Sequence, residues 1–214
     1  MSQPSLIYVY DALCGWCYGF SPVMKKLYEK YHGSVAFEVI SGGMITGERV
    51  GEIGKVAPYI SWAYKDVEKR TGVRFGEKFL NGVLKDGTAI FSSTKPALAL
   101  SVFKKHLPER AVEFAHALQS AIYYDGIEPD KFESYLPYAE LFGLDGAAFI
   151  AEMHLSDTEK AMLADFKLTQ QLGVSGFPTT FFLQDQRLYA IARGYTDFEN
   201  IDAAVQELLS EPVK

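Results

Sequence analysis

Apolar residues cluster in short strand-like runs near both ends of the chain and recur with a period near 3.6 between them. The runs Ser5 to Asp11 (SLIYVYD) and Val35 to Ile40 (VAFEVI) are rich in β-branched and aromatic residues and predict strands. Between them, Phe20, Val23, Met24, Leu27, Tyr28 and Tyr31 fall on one face of a helix. The amino-terminal part therefore predicts a β-α-β unit whose parallel strands are joined by a right-handed crossover.

After Ser41 to Met44 (SGGM) the strand pattern gives way to helical spacing. The stretch TKPALALSVFKKH opens with Thr94 as a cap and Pro96 in the first turn, where a missing N–H does no harm. ERAVEFAHALQSAIYYDG stops at a glycine, and further helices are predicted over 130–142, 146–154 and 156–172. Strands return after Pro178 as TTFFLQ and RLYAIA, and the two residues between them predict an antiparallel hairpin. Thr196 and Glu199 then read as a capping box for a last helix, with Ile201, Ala204, Val205, Leu208 and Leu209 on its apolar face. The order is β-α-β, helical block, β-β-α: an α/β fold with a mixed four-stranded sheet. On this reading residues 1–45 and 165–214 form one domain and residues 46–164 an all-helical insertion.

Composition narrows the functional classes. With 214 residues, 48% hydrophobic and 22% charged, the chain can bury a substantial core. Its net charge of −6 argues against a nucleic-acid partner, because such affinity rests on clustered cations. Lys104 and Lys105 form the densest basic pair and read as a solvated helix face. No run approaches the roughly 20 apolar residues of a membrane span. The amino terminus has neither a basic region nor a small-residue cleavage site, so a cytoplasmic location is expected. The pattern specifies no oligomeric state.

The chain has two cysteines, Cys14 and Cys17, placed where a strand gives way to a helix. At a helix start, unpaired N–H groups and the positive end of the dipole face the first sulfur, which favours thiolate. Helix N-termini in Cys-X-X-Cys sequences lower a thiol pKa from about 8.5 to about 7 or below. Cys17, one turn on, is placed to attack a mixed disulfide formed at Cys14. The rival use is zinc, which needs two more ligands. His32, His106, His116 and His154 are scattered, and each reads as a surface or satisfied core residue. Asp11 is placed either to relay protons to Cys17 or, the favoured reading, to cap the helix or its turn. Trp16 offers an apolar contact between the cysteines, and Gly15 lets the turn be tight. Pro178 starts an edge strand or carries a cis bond. Tyr59, Trp62 and Tyr64 either line a groove above Cys14 or, the favoured reading, belong to a helical core.

The stretches YDALCGWCYGF, SGGM and GVSGFPTT, with Pro22 inside the first helix, resemble the thioredoxin fold, and more closely its DsbA-like branch with a helical insertion, in particular the cytoplasmic FrnE-like and disulfide-isomerase members. The resemblance covers nearly the whole chain. It implies a thiol–disulfide oxidoreductase or isomerase in which Cys14 attacks, Cys17 resolves and Pro178 is cis. It also implies that Phe177 and Thr179 flank a strand-like substrate contact beside Trp16. Protein or small-molecule disulfides are the expected substrates, with no bound cofactor, glutathione as a reductant, and a redox partner for recycling. Kappa-class transferases and hydroxychromene carboxylate isomerases share the insertion, but generally have serine at the first position. A metal- or partner-binding module is the non-enzymatic alternative.

Overall fold

The computed structural model describes residues 3–210. Strand β1 (Ser5–Tyr10) is buried on both faces, which its nearly continuous apolar run requires: Leu6, Tyr8 and Tyr10 point into one cluster, Ile7 and Val9 into another. It is followed by helix α1 (Gly15–Tyr31) and by β2 (Ala36–Ser41), parallel to β1. Strand β3 (Gly51–Glu52) and helices α2 (Ala57–Thr71) and α3 (Leu84–Asp86) come next. Strand β4 (Ile90–Phe91) leads into α4 (Thr94–His106), α5 (Ala111–Tyr123), α6 (Leu136–Leu141), α7 (Gly146–Met153) and α8 (Ser156–Gln171). The hairpin β5 (Thr179–Gln184) and β6 (Arg187–Arg193) and helix α9 (Phe198–Ser210) complete the order.

The main sheet runs β2-β1-β5-β6, with β5 antiparallel to both neighbours, as the alternation at the two ends of the chain predicts. Asp185 and Gln186 both have positive φ, the geometry that a two-residue link needs to match strand twist. On one side of the sheet, α1 and α9 cover Leu6, Tyr8 and Phe182 through Phe20, Met24, Leu27, Ile201 and Val205. On the other, Leu168 of α8 and Leu172 just after that helix cover Ile7, Val9 and Ile40. The helices between the strands have their own aromatic centre, where the Phe103 and Phe114 rings stack 4.0 Å apart against Phe142.

Pro22 removes an N–H from the middle of α1 and so leaves the Tyr18 carbonyl without its helical donor. The Ser21 hydroxyl donates to that carbonyl at 2.9 Å and lies 2.8 Å from His116 Nδ1 on α5. This arrangement assigns the Nδ1–H tautomer to His116, whose burial depresses its pKa.

Several details depart from the sequence reading. The stretch between β2 and β5 is not wholly helical, because β3 and β4 pair antiparallel over two residues each, too short to show a period. Thr94 is the first helical residue rather than the cap, and its N–H donates to Ser92 Oγ at 3.3 Å. Asp197, not Thr196, caps α9, accepting from Asn200 N–H at 2.9 Å. The predicted helix over 130–142 is split into a 3₁₀ turn, Phe132–Tyr135, and α6, because Pro137 cannot donate to a preceding turn.

Candidate active site

β1 ends at Tyr10 and hands the chain to a turn in which Cys14 N–H donates to the Asp11 carbonyl at 3.1 Å. Cys14 occupies the N-cap position of α1 with extended backbone, so it stands at the positive end of the helix. The expected alignment of N–H groups on its sulfur is not made: no first-turn N–H bonds to it, and the Cys14 thiol instead donates to the Phe177 carbonyl at 3.5 Å.

The two thiols are reduced and unequal. Cys14 is 7% exposed and opens onto a cavity, whereas Cys17 is fully covered at 0%. Burial pushes the Cys17 thiol well above its ordinary range, and the hydrogen bond and charge of the adjacent Cys14 push the same way. Cys17 is therefore protonated at neutral pH.

Asp11 is only 2% exposed and joins three separate segments. Its Oδ1 accepts from Leu13 N–H at 2.9 Å and from the Ser93 hydroxyl at 3.0 Å, while Oδ2 accepts from Met44 N–H at 2.7 Å. The carboxylate thus shapes the turn before α1, as one of its two sequence readings has it, but it caps no N–H of α1. Burial raises its pKa, against the lowering effect of those donors.

The cavity beside Cys14 has a volume of about 290 Å³ and is walled by apolar groups, including Trp16, Met44, Tyr59, Tyr64 and Phe75. Trp16 packs 6.5 Å from the Tyr195 ring and lies beneath the Arg70 guanidinium at 5.5 Å. Tyr59 and Trp62, read as helical core, are instead 58% and 56% exposed, because α2 buries only Val67. Tyr59 and Tyr64 line the cavity; Trp62 stands outside it against Tyr59. Gly15 has no positive φ, and an added Cβ would meet Phe75 at 3.8 Å, so the turn does not demand glycine.

The Phe177–Pro178 peptide bond is cis. Backbone groups around it are largely taken: Phe177 O faces the Cys14 thiol, and Pro178 O accepts from Gly194 N–H at 2.7 Å. Thr179 lies inside the sheet, between Val9 and Arg193, and its hydroxyl turns back to the Gly176 carbonyl at 2.8 Å. Its buried side chain therefore holds the loop rather than facing a substrate. The Phe177 ring packs on Gly42, where a Cβ would overlap the ring. Gly42→Ala is accordingly expected to displace the Phe177 loop and to cost about 1–3 kcal/mol by overpacking; urea denaturation measures the loss, and an unchanged midpoint would contradict this packing.

Sequence reasoning passed over three groups that complete the site. Gln119 is fully buried beneath the start of α1, with its amide turned so that nitrogen donates to the Cys17 carbonyl at 3.2 Å and oxygen accepts from Tyr18 N–H at 2.9 Å. Its signal was a polar residue within the apolar stripe of α5. Ser93 and Tyr8 are the others, and only the folded chain brings them to Asp11 and Cys17. The four histidines stay apart from the thiols; His106 pairs with Glu152 and His154 packs on Phe132.

A family model described as thioredoxin matches residues 8–203. The ClpXP adapter protein SpxH of Halalkalibacterium halodurans is 26% identical over 194 residues, covering 86% of this chain and 60% of that protein. The chain thus spans about 60% of the length of the curated relatives it matches. Among solved structures, the cytosolic disulfide reductase DsbM of Pseudomonas aeruginosa has a TM-score of 0.80 at 26% identity, over 96% of this chain and 98% of that one. A second structure of DsbM is described with GSH. A candidate disulfide isomerase of Nitrosomonas europaea has a TM-score of 0.82 at 23% identity, over 97% and 98% of the two chains. No helix among the described residues is long and apolar enough to cross a membrane.

Proposed function

The chain belongs to the thioredoxin family, and from that premise we propose that it is a thiol–disulfide oxidoreductase whose working group is the Cys14–Cys17 dithiol. The observation that carries this reading is the inequality of the two thiols: one at a helix start and open to a cavity, the other sealed one turn below it. Cys14 attacks a substrate disulfide, and Cys17 then attacks the Cys14 sulfur, releases the substrate thiol and closes the ring. Because Cys17 must lose its proton, resolution accelerates as pH rises.

The substrates are protein or small-molecule disulfides, and glutathione is the reductant. The DsbM structure described with GSH supports that choice, as does the exposed Arg193, which lines a hollow of about 250 Å³ beside Phe177 and offers a carboxylate its counter-charge. The likeness to a cytosolic reductase supports a cytoplasmic role with a separate reductase for recycling. Cysteine at both positions disfavours the transferase and isomerase alternative. Catalysed reduction of insulin by glutathione tests the reading; a rate no greater than with glutathione alone would refute it.

The cavity is the seat for an apolar segment of substrate. Tyr59→Ala is expected to weaken binding of an unfolded peptide about tenfold, as loss of a central aromatic contact does, whereas Trp62→Ala, outside the cavity, has a smaller effect. Fluorescence titration of both variants decides this, and equal affinities in all three proteins would remove the groove from the account.

A second reading is favoured by the exposed Tyr59 and Trp62 of α2 with Val56 just before it, together with the likeness to ClpXP adapter proteins. On that reading the chain docks another protein independently of its thiols. Binding that persists with both cysteines replaced by alanine would favour it.

A further inference from the structure

We propose that Tyr8 is a positioning residue for the resolving step: its hydroxyl donates a hydrogen bond to the Cys17 sulfur when that sulfur becomes a thiolate. The proposal rests on the dithiol reading above.

Tyr8 lies on β1 and is 1% exposed, with its ring 5.4 Å from Tyr10 and 5.8 Å from Phe20. Its hydroxyl makes no hydrogen bond of good geometry in the resting dithiol, one of few buried side-chain polar atoms among the described residues of which this is true. The Cys17 thiol stands near enough to bear on it as a hydrogen-bond partner. A buried donor without a partner is costly, and phenylalanine would fill the same space without that cost. The situation reverses once a negative charge stands beside it, because a hydrogen bond to an ionised acceptor is roughly twice as strong as a neutral one.

The ionisable groups that face Cys17 are Cys14 at the α1 cap, Asp11 in the preceding turn, Tyr8 and Tyr10 on β1, and Tyr123 on α5. During resolution Cys14 is tied into the mixed disulfide and has no proton to give. The Asp11 carboxylate is occupied by Leu13, Ser93 and Met44, and its charge opposes a neighbouring thiolate. Of the tyrosines, Tyr8 is the one with a buried hydroxyl and no partner. Burial pushes the Tyr8 phenol well above its ordinary range, so it keeps its proton and acts as donor rather than base.

The step balances as follows. Cys17 gives up its proton and attacks Cys14 Sγ, the Cys14–Cys17 bond forms, and the bond from Cys14 to the substrate sulfur breaks. The leaving thiolate takes the electron pair and the proton. The dithiol is oxidised by two electrons and the substrate disulfide is reduced to two thiols.

Stopped-flow mixing with a bis(nitrobenzoate) disulfide separates the two steps, since attack by Cys14 releases one coloured thiolate and resolution by Cys17 a second. Tyr8→Phe is expected to slow the second, concentration-independent release about tenfold and to move its pH profile upward. A second phase with unchanged rate and pH profile would overturn the proposal. Fluorotyrosine placed at position 8 has a more acidic hydroxyl and provides the test if phenylalanine impairs folding: the profile should move to lower pH, and an unmoved profile again overturns the proposal. A wild-type protein that releases only one coloured thiolate would overturn the dithiol reading itself, and this proposal with it.

Discussion

Cys14→Ser is expected to lower catalysed disulfide exchange by about a thousandfold or more, the scale of losing a covalent nucleophile. A serine hydroxyl can form no disulfide at this position, so the chain of events stops before the first bond. Cys17→Ser is expected to fail differently. Its Cys14 remains open to the cavity and attacks normally, but nothing resolves the product, and the protein accumulates as a substrate-linked adduct. Mass spectrometry after mixing with a disulfide distinguishes the two: an adduct at Cys14 in Cys17→Ser and none in Cys14→Ser. Adduct formation through Cys17 in the Cys14→Ser protein would contradict the roles assigned here, because Cys17 has no exposure to solvent.

Asp11→Ala carries the second large effect, and it falls on stability. The substitution leaves Leu13 N–H, Met44 N–H and the Ser93 hydroxyl without an acceptor in a buried site. At about 1–3 kcal/mol for each stranded donor, with some recovered by relaxation, the loss is about 3–5 kcal/mol. For a chain of this size that corresponds to a drop of roughly 10 °C in melting temperature.

The effect of pH on this difference has a defined sign. The Asp11 pKa is raised above 3.8 in the folded protein, so between 3.8 and its folded value the native state binds the proton more strongly than the unfolded chain does. Its contribution to stability is full below that window and declines as pH rises through it. Thermal melts of wild type and Asp11→Ala should therefore converge as pH increases across the window. Divergence with rising pH, or a change in melting temperature of only a degree or two, would contradict the buried network.

These two residues also mark what the sequence disclosed. The placement of Cys14 and Cys17 could be read directly, because it is local: a strand, a turn, two thiols one helical turn apart. The hairpin at Asp185 and Gln186 and the helix over Thr94–His106 were legible for the same reason. Asp11 could be seen as a candidate, but its partners Met44 and Ser93 are 33 and 82 residues away, and no periodicity carries that information. Phe177 against Gly42 and Tyr8 beneath Cys17 are likewise contacts between elements. The aromatic residues of α2 were misread as core because helical spacing reveals which residues share a face, not whether another element covers it. At the last helix, Thr196 and Asp197 are both good caps, and the side chain that reaches the N–H of the third helical residue, Asn200, is the aspartate.

The proposed activity requires that Cys14 and Cys17 interconvert between dithiol and disulfide within the biological range. Equilibrating the protein across glutathione buffers of defined potential, trapping free thiols by alkylation and weighing the products tests this directly. One two-electron transition is expected, with both thiols lost together, at a potential between about −270 and −120 mV. Two alkylatable thiols persisting at every potential, or single glutathione adducts that never progress to the internal disulfide, would contradict it.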